Sequence, residues 1–250
     1  MATSSSIEWT DTTWNPVTGC TRASDGCDFC YAVTMTRRLA AMGSEKYTGL
    51  VNPGKSHFNG VVKEHPASLD EPLRWRKPRR VFVNSMSDLF HPGISDAFIL
   101  EVFDRMRRAP QHQFQVLTKR PERTLLMDDA LDWPPNVWMG TSVEDSRVLN
   151  RVDALRQTGA RIKFLSCEPL IGPLVDLNLS GIDWVIAGGE SGPGARPIEL
   201  AWVQNLRDTC ASEGVAFFFK QWGGVRKKMA GRELDGRTHD EYPLPLTAAA

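Results

Sequence analysis

Gly19-Cys20-Thr21-Arg22-Ala23-Ser24-Asp25-Gly26-Cys27-Asp28-Phe29-Cys30-Tyr31 puts three of the five cysteines into one Gly/Asp-rich loop, spaced C-x6-C-x2-C. Upstream, the stretch from Ile7 to Val17 reads as a short strand ending at Pro16; downstream, Ala32 to Met42 (AVTMTRRLAAM) reads as a helix. Thiolates this close suit a soft metal centre, zinc or an iron–sulfur cluster. A structural zinc takes four protein ligands, so Cys167 or a histidine would have to complete it. A cubane cluster on three cysteines leaves one iron open to a small molecule. Three cysteines that only fill space form the third reading. A disulfide framework fits poorly, because the cluster is odd in number and MATSSSIEWT lacks the charged and apolar regions of a signal peptide.

Outward from the loop, the chain alternates apolar runs with helical patterns. Runs at Arg80–Ser85, Gln113–Leu117, Asn136–Gly140, Arg161–Leu165, Asp183–Ala187 and Val215–Phe219 read as strands. Between them, helices are predicted over about Ser95–Arg108, Glu122–Asp129, Asp145–Thr158 and Leu200–Glu213. Nearly continuous apolar strands such as VFVN and AFFF fit a parallel sheet covered on both faces. The expected fold class is α/β, a partial (β/α) TIM-type barrel of about six to seven parallel strands. A doubly wound open sheet is the alternative, weakened because no Gly-rich dinucleotide fingerprint follows the first strand. One domain is expected over residues 1–225, with a loosely ordered tail over 226–250.

The 250 residues carry 30 basic and 30 acidic side chains, so no bulk field draws the molecule to nucleic acid or membrane. Two local basic runs stand out, Arg74 to Arg80 and Arg226 to Lys228, as solvated faces or as binding surfaces. No stretch approaches the roughly 20 apolar residues of a membrane span. A soluble, cytoplasmic protein without a membrane partner is the expectation.

In a parallel barrel, sites gather at the C-terminal strand ends. Here those ends carry Cys20/Cys27/Cys30, Asn84/Ser85/Asp88, Thr118/Lys119/Arg120, Ser142/Glu144/Asp145, Cys167/Glu168, Glu190/Ser191 and Lys220/Gln221. Helix caps account for Asp145 and Ser87, but not for Lys119-Arg120 or Lys220-Gln221 after apolar runs. Cys210 reads as helix packing, and His57, His65, His91, His112 and His239 show no metal-ligand spacing.

These residues resemble a known family. Cys27-Asp28-Phe29-Cys30 has the Cys-x-aromatic-Cys ending of radical S-adenosylmethionine enzymes, sited after the first strand. The first cysteine spacing is six residues where that superfamily usually has three. More specifically, the chain resembles the phage- and prophage-encoded "three-Cys-motif" proteins, radical-SAM-like proteins of uncharacterised function. The resemblance runs through IEWTDTTWNPVTGC, GCDFCYA, LDEPLRWRKPRRVFVNSMSDLFH, FQVLTKRPER, NVWMGTSVED, SCEPLIGP, DWVIAGGESGPGARP and FFFKQWGG.

The resemblance implies a [4Fe–4S] cluster on Cys20, Cys27 and Cys30, with S-adenosylmethionine on the open iron and a 5′-deoxyadenosyl radical as the product of its cleavage. Phe29 would pack beside the cluster. Asp88, Asn84 or Ser85 would hold the methionine amine, and Ser142 and Glu144, or else Glu168, the ribose. Gly188, Gly189, Gly192 and Gly194, with Glu190, would form a flexible loop against cofactor or substrate, or else a plain tight turn. Lys119, Arg120, Arg196 and Lys220 would hold an anionic substrate such as a nucleotide or nucleic acid, and Trp222 would stack on a base or pack in the core. Lys119, Cys167, Glu168 and Lys220 are the expected catalytic groups, Cys167 as fourth ligand, hydrogen donor or space filler. Expected partners are a reductant protein and a methyltransferase-like protein. The competing class is a non-catalytic interaction or nucleic-acid-binding module, in which zinc or a closed cluster stabilises the loop and the rim binds a partner or nucleic acid.

Overall fold

Nine strands form in the computed structural model, which describes residues 5–243. They are β1 (Thr12–Trp14), β2 (Val17–Thr18), β3 (Lys63–Glu64), β4 (Arg80–Val83), β5 (Gln113–Thr118), β6 (Val137–Ser142), β7 (Ile162–Cys167), β8 (Trp184–Gly188) and β9 (Ala216–Gln221). Seven make one sheet in the order β1-β4-β5-β6-β7-β8-β9, every neighbouring pair parallel. The order never reverses, so the winding is that of a barrel and not of a doubly wound sheet. β2 and β3 form a separate antiparallel pair that the sequence reading missed.

The helices are α1 (Tyr31–Ala41), α2 (Asp96–Arg107), α3 (Pro121–Leu126), α4 (Asp128–Leu131), α5 (Asn150–Arg156), α6 (Leu200–Glu213) and α7 (Lys227–Ala230). Ser95 caps α2, its Oγ accepting from Phe98 N at 3.3 Å, and Phe98, Ile99, Val102, Phe103 and Met106 form the buried stripe. The helix expected over Asp145–Thr158 is shorter. Asp145 caps a 3₁₀ turn, Ser146–Val148, and regular helix starts only at Asn150.

Side chains leave a strand alternately on its two faces, and the two faces here build two cores. Val83, Val116, Met139, Leu165, Cys167, Val185, Ala187, Phe217 and Phe219 pack outward against the helices. Phe82, Trp138, Ile162, Phe164, Trp184, Ile186 and Phe218 point inward and meet Trp9. Trp9, just before the first strand of the sheet, lies 6.4 Å from the Phe164 ring and 6.2 Å from Trp184, on the fifth and sixth strands. A flat sheet cannot make those contacts; the sheet curls into a partial barrel with an aromatic interior.

The C-terminal segment is not loose as far as residue 243. Phe219 N donates to His239 O at 3.0 Å and Glu241 N to Phe217 O at 3.3 Å, so the segment lies antiparallel along the free edge of β9. Tyr242 then packs on Trp184 and Phe218, beneath the Arg80 guanidinium. An edge covered in this way presents no template for another strand. The rest of the predicted tail, residues 244–250, lies outside the described residues. No helix among the described residues is long and apolar enough to cross a membrane.

Candidate functional site

The cysteine loop lies against the C-terminal ends of the strands and is fastened there at three places. Gly19 forms a parallel bridge to Ser87 at φ +84°, and a Cβ on it would stand 2.0 Å from Val61 O, so only glycine fits. Beside it, Arg120 donates to Asp88 Oδ2 at 2.8 Å and to Thr21 Oγ1 at 2.8 Å. Asp88 also accepts from Thr118 Oγ1 at 2.6 Å, Lys119 N at 3.1 Å and Phe90 N at 3.0 Å. His91 Nδ1 accepts from Gly93 N, which leaves its Nε2–H to donate to Thr21 Oγ1 at 2.9 Å. Burial and the Arg120 charge keep this imidazole neutral by lowering its pKa.

The second fastening is Glu144, whose side chain is 1% exposed. Its Oε1 accepts from Ser24 Oγ at 2.6 Å and from Lys119 Nζ, its Oε2 from Arg151 Nη1 at 2.9 Å. Burial alone would push this carboxyl up, but Lys119 and Arg151 hold it below the ordinary carboxylate value. Gly26 leans on the same side chain, where a Cβ would meet Glu144 Cγ at 2.3 Å.

Arg196 makes the third fastening. It forks onto Glu190 at 2.9 and 2.7 Å and donates to Asp25 O at 2.8 Å. Its guanidinium also covers the Phe29 ring at 5.4 Å. On the solvent side Arg22 pairs with Asp25 and Asp28, and Arg147 with Asp25 and Asp145. Those exposed pairs contribute little beside the buried ones.

Cys20, Cys27 and Cys30 are all free thiols, partly exposed. Cys20 senses both of the others electrostatically. Its pKa is pushed up to about 12, first by burial and then by Asp88, with Arg120 opposing. Burial likewise raises Cys30, against a downward pull from Lys119. Among the described residues no three or more His, Cys, Asp or Glu side chains converge on a point that holds a metal ion.

Inside the ring formed by the loop, strand periodicity turns Ser142, Ser166, Glu168, Gly188 and Lys220 toward the barrel interior, above the aromatic floor. Glu168 sits between Lys220 Nζ, 3.0 Å from its Oε1, and Trp9 Nε1, which donates to Oε2 at 3.3 Å. The Tyr31 hydroxyl donates to Ser85 O and closes the side next to α1. Asn84, buried at the end of β4 with φ +60°, accepts from Val17 N while its Nδ2 has no hydrogen-bond partner among the described residues.

Several expectations change with this geometry. Cys167 faces the helices, fully buried in the outer core near Cys210, while its neighbours Ser166 and Glu168 face inward. It therefore faces away from the mouth that a fourth ligand or hydrogen donor would have to reach, and burial raises its thiol pKa well above the usual value. Gly188 and Gly189 are not an open cradle. A Cβ on Gly188 would meet Glu168 Oε1 at 2.7 Å, and one on Gly189 would meet Trp222 O at 2.0 Å. Ser85 gives its side chain to Asn15 Oδ1 at 3.2 Å. Trp222 packs on Phe219 and donates to Glu233 O, the core reading of the two. All four expected cations are engaged by carboxylates, Arg120 by Asp88, Arg196 by Glu190, Lys119 by Glu144 and Lys220 by Glu168, and of these Lys119 and Lys220 lie nearest the interior. Ser24, Tyr31, Arg151 and Trp9 were missed. Only Tyr31 carried a sequence signal, standing directly after Cys30.

A protein family described as "Protein of unknown function (DUF5131)" matches residues 4–243. No curated protein matches the chain in sequence. Among solved structures, the chain is similar to spore photoproduct lyase complexed with dinucleoside spore photoproduct, at 15% identity and a TM-score of 0.45 over 76% of this chain and 58% of that one. A mutant of that enzyme with bound AdoMet and dinucleoside spore photoproduct gives 14% identity and a TM-score of 0.46 over 75% and 58%. The chain thus spans 58% of the length of the solved structures it matches.

Proposed function

The chain belongs to the DUF5131 family of proteins of unknown function, and from that starting point we propose that it is a radical S-adenosylmethionine-type iron–sulfur enzyme acting on a nucleotide, nucleic acid or other macromolecule in a phage context. One observation carries the reading. Three free thiols share one loop fastened over the polar mouth of the barrel, and neither remaining cysteine is on that side. Such a donor set suits a [4Fe–4S] cluster, in which each thiolate binds its own iron and the donors need not converge on a single ion. It leaves one iron for S-adenosylmethionine.

Cys20, Cys27 and Cys30 would hold the cluster, with Phe29 beside it. When bound, cluster and S-adenosylmethionine together supply reductive cleavage to a 5′-deoxyadenosyl radical, with the electron coming from a reductant protein. The chain's own residues do the rest. Asp88, Glu144 and Glu190 each neutralise a cation that touches or borders the loop, and so fix where the three thiols stand. The unpartnered Asn84 Nδ2 is a buried donor at the mouth, suited to a carboxylate. Lys119 and Lys220, paired with Glu144 and Glu168, place ammonium groups at the mouth that an anionic substrate would share with those carboxylates, and Ser142 and Ser166 supply polar groups around it. The aromatic floor of Trp9, Phe164 and Trp184 excludes water from below.

The test is anaerobic reconstitution followed by iron, sulfide and zinc analysis, then reduction with S-adenosylmethionine and assay for 5′-deoxyadenosine. About four irons per chain, with cleavage lost in Cys27→Ala, is the expected result. Stoichiometric zinc, or a cluster that leaves S-adenosylmethionine intact, would overturn the reading.

A further inference from the structure

We propose that residues 74–79 form a docking ledge for the phosphodiester backbone of a nucleic acid, at the end of the barrel away from the cysteine loop. This inference is independent of the chemistry proposed at the mouth.

Arg74, Arg76, Lys77 and Pro78 are exposed, and Arg79 is half-buried immediately before β4. The strands run from this end toward the cysteine loop, so the ledge lies on the opposite rim. Elsewhere arginines are habitually paired: Arg105 with Asp70, Arg107 and Arg108 with Asp104, Arg156 with Asp153, Arg207 with Asp235. Arg74, Arg76, Lys77 and Arg79 form no ion pair with any described residue. Asp11, the carboxylate that senses Arg79, is itself held by Arg80 at 2.9 Å. Four uncompensated cations within six residues, on a chain of zero net charge, make a concentrated local field.

The ledge is also rigid, which separates it from an ordinary solvated run. Pro72 is buried, and its carbonyl accepts from Trp75 N at 3.2 Å and lies 3.1 Å from His112 Nε2. Gln111 Nε2 donates to Trp75 O at 3.3 Å. The Trp75 ring stands edge-on to His112 at 5.6 Å and carries the Arg79 guanidinium at 5.3 Å. At the far end Gln113 N donates to Arg79 O at 2.9 Å. A ligand therefore meets cations whose backbone is already ordered, and less entropy is lost on binding.

The choice of partner follows from the shape and composition of the ledge. None of the large exposed apolar side chains lies between residues 72 and 80, so nothing here inserts into a lipid surface. Arg74 closes the 3₁₀ turn Pro72–Arg74, and the five residues from Trp75 to Arg79 reach at most about 18 Å, along which duplex DNA offers one negative charge per ~1.7 Å. Closely spaced cations on an ordered backbone suit that regular array of phosphates. Phosphate contacts fix register without reading sequence, so binding is expected to be sequence-independent.

The experiment uses the full chain with a fluorescent 20-base-pair duplex, and anionic vesicles as comparator, between 25 and 200 mM salt. Arg79 stays in place because it packs on Trp75. The variant Arg74→Ala/Arg76→Ala/Lys77→Ala is expected to lose at least about tenfold in duplex affinity, and its log K against log salt slope should shrink by about 2–3. Its thermal midpoint should not move, since the three side chains are exposed. Four results would each overturn the proposal: no wild-type binding at the lowest salt, an unchanged affinity and slope in the triple variant, an equal loss in Arg37→Ala/Arg38→Ala on α1, or a triple variant that loses only vesicle binding.

Discussion

The Ser24 hydroxyl donates to Glu144 Oε1 at 2.6 Å and thereby ties the cysteine loop to the end of β6. Glu144 is one carboxylate serving three donors, and its removal leaves Lys119 and Arg151 without their partner. Breaking a buried pair on one side costs about 3–5 kcal/mol, whereas losing one hydrogen bond to a charged group costs about 1.5–3 kcal/mol. Glu144→Gln should therefore destabilise the protein about twice as much as Ser24→Ala in urea titrations. Equal effects would mean that Lys119 and Arg151 find other partners.

Cys167 and Cys27 should separate cleanly. Cys167→Ala removes a buried sulfur from the outer core, with an expected loss of about 1–2 kcal/mol. Iron bound after reconstitution should not change. Cys27→Ala, on the partly exposed loop, should do the reverse, leaving the thermal midpoint nearly fixed while iron and sulfide content collapse. Iron loss in Cys167→Ala would put that thiol back at the mouth.

How much of this was legible in the sequence depends on what each signal encodes. Apolar runs such as VFVN and AFFF report strands, and their polar endings report the mouth, because both are local in sequence. The direction of Cys167 was available too. Alternation along IKFLSC places it opposite Ser166 and Glu168, a parity that nearness to the strand end alone does not reveal. Other features carry no local signal. Val17–Thr18 and Lys63–Glu64 pair as two-residue strands 45 residues apart, too short for periodicity. The hold of residues 239–242 on the β9 edge rests on Leu234 and Tyr242, isolated apolar residues in a charged, Pro-containing stretch. Ser24 and Arg151 meet only through Glu144, 120 residues from Ser24 and seven from Arg151, a link that no local pattern encodes.

Chain end and barrel edge should fail together. Tyr242 packs 5.0 Å from Trp184 and beneath Arg80, and its segment covers β9. Tyr242→Ala is expected to cost about 2–3 kcal/mol, at the lower end for an aromatic truncation because the ring is only half-buried. A chain ending at residue 230 should also aggregate on warming, since the strand edge is then bare. Light scattering during a thermal ramp reads this. A soluble truncation with an unchanged midpoint would show that the segment contributes nothing.

Acid should weaken the small β2–β3 pair through His65. The Thr18 hydroxyl donates to Lys46 O and so accepts from His65 Nε2–H at 2.8 Å. Burial, with Lys46 and Lys63 close by, lowers the His65 pKa to about 4. In the unfolded chain the ring protonates near 6.5. As pH falls from about 6.5 toward 4 the unfolded state takes up a proton that the folded state does not, so stability is lost across that window. His65→Gln should lose less stability than the wild type between pH 7 and pH 5 in denaturant titrations. Parallel pH profiles would rule out this contribution.

Lys220 and Glu168 offer the sharpest division between holding a cluster and using it. Both face the interior, 3.0 Å apart, and neither touches the cysteine loop through a hydrogen bond. Lys220→Met keeps the stem of the side chain and removes its charge, so Glu168 is left facing Trp9 alone. Under the proposed function, iron and sulfide content should match the wild type, while the rate of 5′-deoxyadenosine formation or of substrate turnover falls by about 10–100-fold. Glu144→Gln should instead lower iron content, because it loosens the loop that carries the thiols. If Lys220→Met strips the iron as well, the pair supports the loop and the anionic-substrate role assigned to Lys220 fails. If both variants keep full activity, the polar mouth is not where the chemistry takes place.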